Sequence, residues 1–219
     1  FIRYDVEMSQ TNPTLVELTD TEIRLDPYLA ERGNLLLKPY SNLNNNLFYE
    51  HKKGLFTFNA NLRHHYKHNP IMESVKEQGN IFLIIPENMK SWNKYNAEMN
   101  LKVGMIKNIL QFSLTGGYNH FNSQGNNYSH EYSNFYYSAN VLAMYKKWMF
   151  IVQIQPFDEK LYGETVIKSG NYHYLAIQYN TDNFSFGIGA FNPFKNVSRT
   201  VIENNNNQPP FIRESFSRA

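Results

Sequence analysis

The stretch YSNFYYSANVLAMYKKWMFIVQI, Tyr132–Ile154, decides the fold. On its first arm Phe135, Tyr137, Ala139, Val141, Ala143 and Tyr145 alternate with Tyr136, Ser138, Asn140, Leu142 and Met144. Lys146 and Lys147 make a turn, and the second arm sets Trp148, Phe150, Val152 and Ile154 against Met149, Ile151, Gln153 and Gln155. Side chains on a strand point to opposite faces with a period of two, so each arm has one wholly apolar face and one mixed face. At about 3.3 Å per residue and a tilt of about 40°, the run from Phe135 to Tyr145 rises roughly 25 Å, the height of the lipid-facing band of an outer-membrane barrel. Aromatics stand at both ends of the stripe, Phe135 and Tyr137 at one and Tyr145 and Trp148 at the other, where interfacial girdles belong. A soluble β-sandwich or a lipocalin-like barrel alternates in the same way, and the hairpin alone leaves these architectures open.

The composition narrows the choice. A chain of 219 residues is long enough for one large β domain. Its mean hydropathy is negative, −0.55, and no run approaches the roughly 20 apolar residues of a membrane helix. Barrel strands carry a weaker, alternating signal, so that absence does not argue against a membrane. A net charge of +2 is too small to imply nucleic acid by itself. Cysteine is absent, which excludes disulfides and thiolate metal sites and fits a reduced compartment or a bacterial envelope equally. Aromatics at 16% with abundant Asn suit tall strands joined by polar loops. No signal peptide is visible, because Phe1–Ser9 already reads as a strand, so the chain is expected to be a piece of something longer.

Outward from the hairpin the alternation repeats. Ile2, Tyr4, Val6 and Met8 oppose Arg3, Asp5, Glu7 and Ser9, and a charged face behind an apolar one favours a water-filled lumen over a packed interior. Further strands are expected at Leu43–His51, Phe56–Arg63, Lys94–Val103, Leu110–Asn119, Leu175–Tyr179 and Phe184–Ala190. Between them lie long connections. Gln10–Tyr40 has room for one or two helical turns over Leu15–Leu25, and Asn69–Lys90 holds a short strand, Ile81–Ile85, ended by Pro86. Asn122–Glu131 reads as a Gly/Asn/Ser loop and Gln155–Asn171 as irregular, while the chain after Asn192 reads as polar and without a closing strand. Tight turns near positions 53, 106, 146 and 181 thus interleave with long connections. A barrel with brief turns on one side and long loops on the other has this rhythm, and a sandwich has no reason to keep it. The fold expected is all-β: about nine strands of a larger antiparallel transmembrane barrel, since bacterial barrels use even strand numbers and an open edge in lipid is costly.

Glu31-Arg32-Gly33-Asn34-Leu35-Leu36-Leu37-Lys38-Pro39-Tyr40 resembles the Gly-Asn-Pro-x-Leu-Lys-Pro-Glu signature of TonB-dependent outer-membrane receptors, with Leu35 in place of Pro and Tyr40 in place of Glu. Asn69-Pro70-Ile71-Met72-Glu73-Ser74, Asn96-Ala97-Glu98-Met99-Asn100-Leu101 and Leu114-Thr115-Gly116-Gly117-Tyr118 are similar to later strands of the branch with an outer membrane protein β-barrel domain. The resemblance implies that residues 1–219 are the C-terminal portion of a 22-stranded barrel, lacking the plug domain, the TonB box and the final strand, and unable to transport alone. It implies membrane lipid, the receptor's own plug, a TonB-type energiser and a surface lipoprotein as partners, and no cofactor.

Candidate chemistry is sparse. In Arg63-His64-His65-Tyr66-Lys67-His68, His64 and His68 share a face about 13 Å apart and His65 faces away, too far for two ligands of one metal. Asp158-Glu159 and Glu203 read as solvated loop acids, with a loop calcium site as the alternative. No triad or nucleophile-elbow motif frames any Ser, His or Asp, so no enzyme is expected. Gly187-Ile188-Gly189 has no helix after it and reads as close strand packing. The lysines are scattered at turns, which speaks against nucleic acid. The inward set Asn61, Arg63, His65, Lys94, Glu98, Asn100 and Lys102 is the most plausible functional surface, lining a lumen that meets a plug or a substrate. Trp92, Tyr128 and Tyr132 are loop aromatics that grip a ligand or stiffen the loops.

Three functions remain in view: a TonB-energised importer of a nutrient too large for porins, a structural or assembly-scaffold barrel that does not transport, and a soluble ligand-binding β-domain. The first two place the chain in the bacterial outer membrane.

Overall fold

The computed structural model describes residues 1–105, 109–155, 159–168, 172–193, 197–204 and 211–218. Its strands, in chain order, are β1 (Ile2–Thr11), β2 (Glu22–Asp26), β3 (Leu29–Arg32), β4 (Tyr40–Lys53), β5 (Phe56–His68), β6 (Ile71–Gln78), β7 (Ile81–Asn88), β8 (Ser91–Met105) and β9 (Leu110–Gln124). They continue as β10 (Ser129–Tyr145), β11 (Trp148–Gln155), β12 (Glu159–Tyr162), β13 (Thr165–Lys168), β14 (Tyr172–Asn180), β15 (Ser185–Phe191), β16 (Val197–Asn204) and β17 (Phe211–Arg218). No helix of the described residues is long and apolar enough to cross a membrane, which says nothing about crossing by strands.

Nine strands form one antiparallel wall in the order β1-β4-β5-β8-β9-β10-β11-β14-β15. These are the nine expected from the alternation. The hairpin Tyr132–Ile154 keeps its register through Val141↔Val152, Ala143↔Phe150 and Tyr145↔Trp148, with Lys146 at φ 54° in the turn. Cross-strand pairing aligns the apolar sets into rows such as Leu47, Leu62, Ala97, Tyr118 and Phe135. These rows are turned to the outside and left uncovered: Phe135 is 84% exposed, Met8 78%, Ile188 68% and Leu62 56%. A sandwich or a small ligand-binding barrel would have packed them together in a dry centre. At the short-turn end Tyr145, Trp148, Tyr179 and Phe186 stand side by side on the same outward face, and the Trp148 and Tyr179 rings lie 4.8 Å apart. At the other end His64 stacks on Tyr95 at 4.5 Å, and His120 follows at 6.2 Å from Tyr95.

The long connections depart from the expectation of irregular loops. Two smaller sheets, β2-β3-β7-β6 and β12-β13-β16-β17, are built from them. The pairing of β3 with β7 is parallel. Residues 15–25 hold one turn, closed by Leu18 N donating to Thr14 O at 3.1 Å, and then β2 rather than further helix. Pro86 does not end its strand: β7 runs on to Asn88, because the β3 ladder stops at Ile84 and position 86 needs no amide donor on that side. Asn122–Glu131 is a continuation of the β9–β10 ladder with only Gly125–Tyr128 between the strands. The stretch 155–171 contains the β12–β13 hairpin, and the chain after Asn192 contains β16 and β17, paired back onto β13. The turn expected near position 106 and Asp158 lie outside the described residues.

The buried core sits where the connections meet the wall. Met72, Met89, Trp92, Phe121, Leu161 and Val166 form one cluster, with Tyr128, Tyr132 and Tyr162 packed against it. Trp92 and Phe121 belong to the inward face of β8 and β9, so the top of that face is dry, while below it the face is mainly polar on β4, β5, β8 and β9.

Candidate functional site

Below this core the inner face is a hydrogen-bonded polar wall. Strand pairing places Asp5, Asn46, Arg63, Asn96, Asn119 and Asn134 in one row across six strands, with Glu98 and Tyr136 one step along from it. Arg63 bridges to Glu98 at 3.3 Å and reaches Asn96 Oδ1 at 3.5 Å. Asn96 donates to Asn119 Oδ1 and to Tyr136 Oη, both at 2.9 Å, and Tyr136 donates to Glu98 Oε2 at 2.7 Å. Tyr136 fits there because the facing residue is Gly117, where a Cβ would stand 2.3 Å from the Tyr136 ring. Asn100 continues the network downward, donating to Thr115 Oγ1 at 2.7 Å and Ser113 Oγ at 3.1 Å.

Above this network a groove of about 470 Å³ is lined by Asn46, Arg63, His65, Lys94, Glu98 and Asn134 among others. The Oδ1 atoms of Asn46 and Asn134 are shielded from solvent and have no hydrogen-bond partner among the described residues. Such acceptors are uncommon in folded proteins and ask for a donor. Of the residues singled out from sequence, Arg63, His65 and Glu98 line this groove and Asn61 pairs opposite Glu98. Lys102 lines a separate hollow of about 490 Å³ towards the short-turn end, with Gln111, Ser113 and Asn140.

The aromatic candidates belong to the mouth. Trp92 is buried and its indole N–H donates to Leu161 O at 3.0 Å, tying β12 to the wall. Tyr132 donates to the Glu159 carboxylate, and Tyr128 contacts Ser123 Oγ at 3.2 Å. Burial pushes the Tyr128 hydroxyl up to about 12, so it stays protonated. Each of the three thus braces a connection against the wall. Glu203 is engaged by Lys168 at 2.9 Å. His64 and His68 share the outward face and His65 the inward one, and no His, Asp and Glu of the described residues group in threes.

The Gly33-Asn34 pair is held by close contacts within the connections. Gly33 N donates to Thr19 O at 3.0 Å, and a Cβ at this position would lie 2.4 Å from that same oxygen. Asn34 Nδ2 donates to Pro86 O at 3.1 Å and its Oδ1 accepts from Leu36 N at 3.0 Å. The two residues clamp the β1–β4 connection to the β6–β7 hairpin.

Comparison with known protein families matches residues 6–218 to the outer membrane protein beta-barrel family. The chain belongs to that family. No curated protein and no solved structure matches the chain. As a member of the outer membrane protein β-barrel family it resides in the bacterial outer membrane. The exposed apolar rows are then the surface that such barrels turn to lipid, and such barrels carry their long connections at the extracellular end.

Two features of the site are missed by alternation alone. Alternation puts Tyr136 on a mixed face and no more, although the Gly116-Gly117 pair opposite it signals room for a large ring. It also leaves the connections irregular, although Gly79-Asn80 between two apolar runs and Gly163-Glu164 between two others are hairpin turn signals. Gly79 and Gly163 take φ of 64° and 62° there.

Proposed function

We propose that this chain is the C-terminal barrel portion of a TonB-dependent receptor that imports a nutrient too large for porins. The observation that carries the reading is the charged and polar inner wall, where Arg63, His65, Lys94 and Glu98 line an open groove behind the lipid-facing rows. A lumen closed by its own packed side chains has no use for such a wall. A plug standing in the lumen meets it, and a plug is the part through which an inner-membrane energiser acts. Two further observations fit. Nine wall strands follow one another without β1 and β15 pairing to each other, as a cylinder wider than nine strands requires. The Gly33-Asn34 clamp gives the signature resemblance a structural purpose.

The test uses the complete gene. Deleting it should abolish growth on one compound of a panel of large nutrients, and a complementing copy lacking the TonB box should fail to restore it. Unchanged growth and uptake across the panel would overturn the importer reading in favour of a barrel that does not transport.

A further inference from the structure

A further hollow lies in the long connections, away from the polar wall. Strand register puts Ile23 of β2, Glu31 of β3, Ile84 and Pro86 of β7, and Ile71 and Glu73 of β6 on one face of the same small sheet. The opposite face, with Ala30, Leu83, Ile85 and Met72, is buried. On the first face Ile71 and Val75 are buried as well, while Ile23, Ile84 and Pro86 open into a cleft of about 360 Å³ lined also by Val16, Glu17, Thr19, Thr21 and Tyr162. That volume is in the range of small-molecule sites, which pair an apolar lining with a few convergent polar groups.

The charges in the cleft do not balance. Glu17 is already engaged, accepting from Thr14 N at 2.7 Å and Thr14 Oγ1 at 2.8 Å. Arg32 leans to Asp20, 3.5 Å away, at the rim. Glu31 and Glu73 stand on the two strands that flank β7, over the apolar floor, with no cation or hydrogen-bond donor on either carboxylate among the described residues. Glu73 stays open to solvent on one side, and partial desolvation first, then the charge of Glu31, holds its carboxyl above the usual carboxylate range. Burial also pushes the Tyr162 hydroxyl up to about 12, with Glu73, Tyr40 and Glu17 adding to the effect, so Tyr162 offers no charge.

We propose that this cleft binds an apolar organic cation, its hydrocarbon part on Ile23, Ile71, Ile84 and Pro86 and its ammonium group between Glu31 and Glu73. A cation there removes the repulsion between the two carboxylates and covers apolar surface of Ile23, Ile84 and Pro86 that is otherwise open to water. A neutral molecule of the same shape gains only the second effect, and an anion meets both carboxylates. Because bound cation requires both acids ionised, affinity rises with pH through the range in which Glu73 loses its proton, with Glu31, Glu17, Arg32, Tyr40 and Tyr162 as the ionisable groups around it. The site stands whether or not the barrel transports, since binding is read without an energiser.

The experiment measures equilibrium binding of tryptamine, tryptophol and indoleacetate to the intact protein in lipid nanodiscs, with empty nanodiscs subtracted. Tryptamine should bind saturably and at least about tenfold more tightly than tryptophol, a difference of about 1.4 kcal/mol, and its affinity should fall as pH is lowered from about 7 to about 4. The double variant Glu31→Gln with Glu73→Gln should bind tryptamine and tryptophol alike. Equal binding of the two by the unmodified protein, preference for indoleacetate, no saturable tryptamine binding, or full tryptamine preference in the double variant would each overturn the proposal. The comparison of ligands on the unmodified protein keeps the test valid even where the double variant does not fold.

Discussion

Single residues decide how the inner wall is held. Tyr136 is the hub: it accepts from Asn96, donates to Glu98, and occupies the space Gly117 leaves open. Tyr136→Phe keeps the ring in that space and removes only the hydroxyl. Asn96 retains Asn119 and Glu98 retains Arg63, so the expected cost is about 1–2 kcal/mol, read as a lowered urea midpoint for the barrel refolded in liposomes. An unchanged midpoint would mean that the hydroxyl is solvated and the network idle. Lys146 shows the opposite case, a residue against its own preference. Its φ of 54° suits Asn better than Lys, and its ammonium lies 5.4 Å from the Tyr145 ring centre, beside the girdle at the short-turn end.

At the scale of the strand, the period of two carries the whole assignment. Val141 pairs with Phe112 and Val152 in the outward rows, while Asn140 pairs with Ser113 and Gln153 in the inward ones. Val141→Arg should therefore cost about 2–4 kcal/mol, because it puts a cation into hydrocarbon, and Asn140→Arg, one residue away, should cost far less. Equal effects of the two substitutions on the liposome unfolding midpoint would contradict an outward Val141 and an inward Asn140. The wall strands were legible in the sequence because one face meets hydrocarbon along their full height, and nothing but alternation satisfies that. The connections were not, because their strands are short and their burial comes from distant partners: Met72 and Leu161 reach one cluster from positions 89 residues apart in the chain. The polar groove was half legible. Arg63, His65 and Glu98 followed from facing alone, whereas the cleft carboxylates Glu31 and Glu73 converge only through the parallel pairing of β3 with β7, which no local pattern announces. Trp92 and Tyr132 were visible as aromatics, but their anchoring partners Leu161 and Glu159 lie in a hairpin too short for alternation to mark.

At the scale of the molecule, the extracellular connections and the wall share one core. Trp92→Phe keeps most of the packing but leaves the buried Leu161 carbonyl without its donor, an expected local cost of about 1–3 kcal/mol. The measurement is protease cleavage within residues 159–168 on intact cells, which should speed up while the barrel's unfolding midpoint barely moves. Cleavage at the unmodified rate would mean that β12 is held by other contacts. Freeing the connections altogether would put Met72, Met89, Trp92, Phe121, Leu161 and Val166 into water, at a cost on the order of 10 kcal/mol. Thermal motion does not reach that. The connections above the wall are therefore a fixed rim, braced from beneath, rather than a hinged cover.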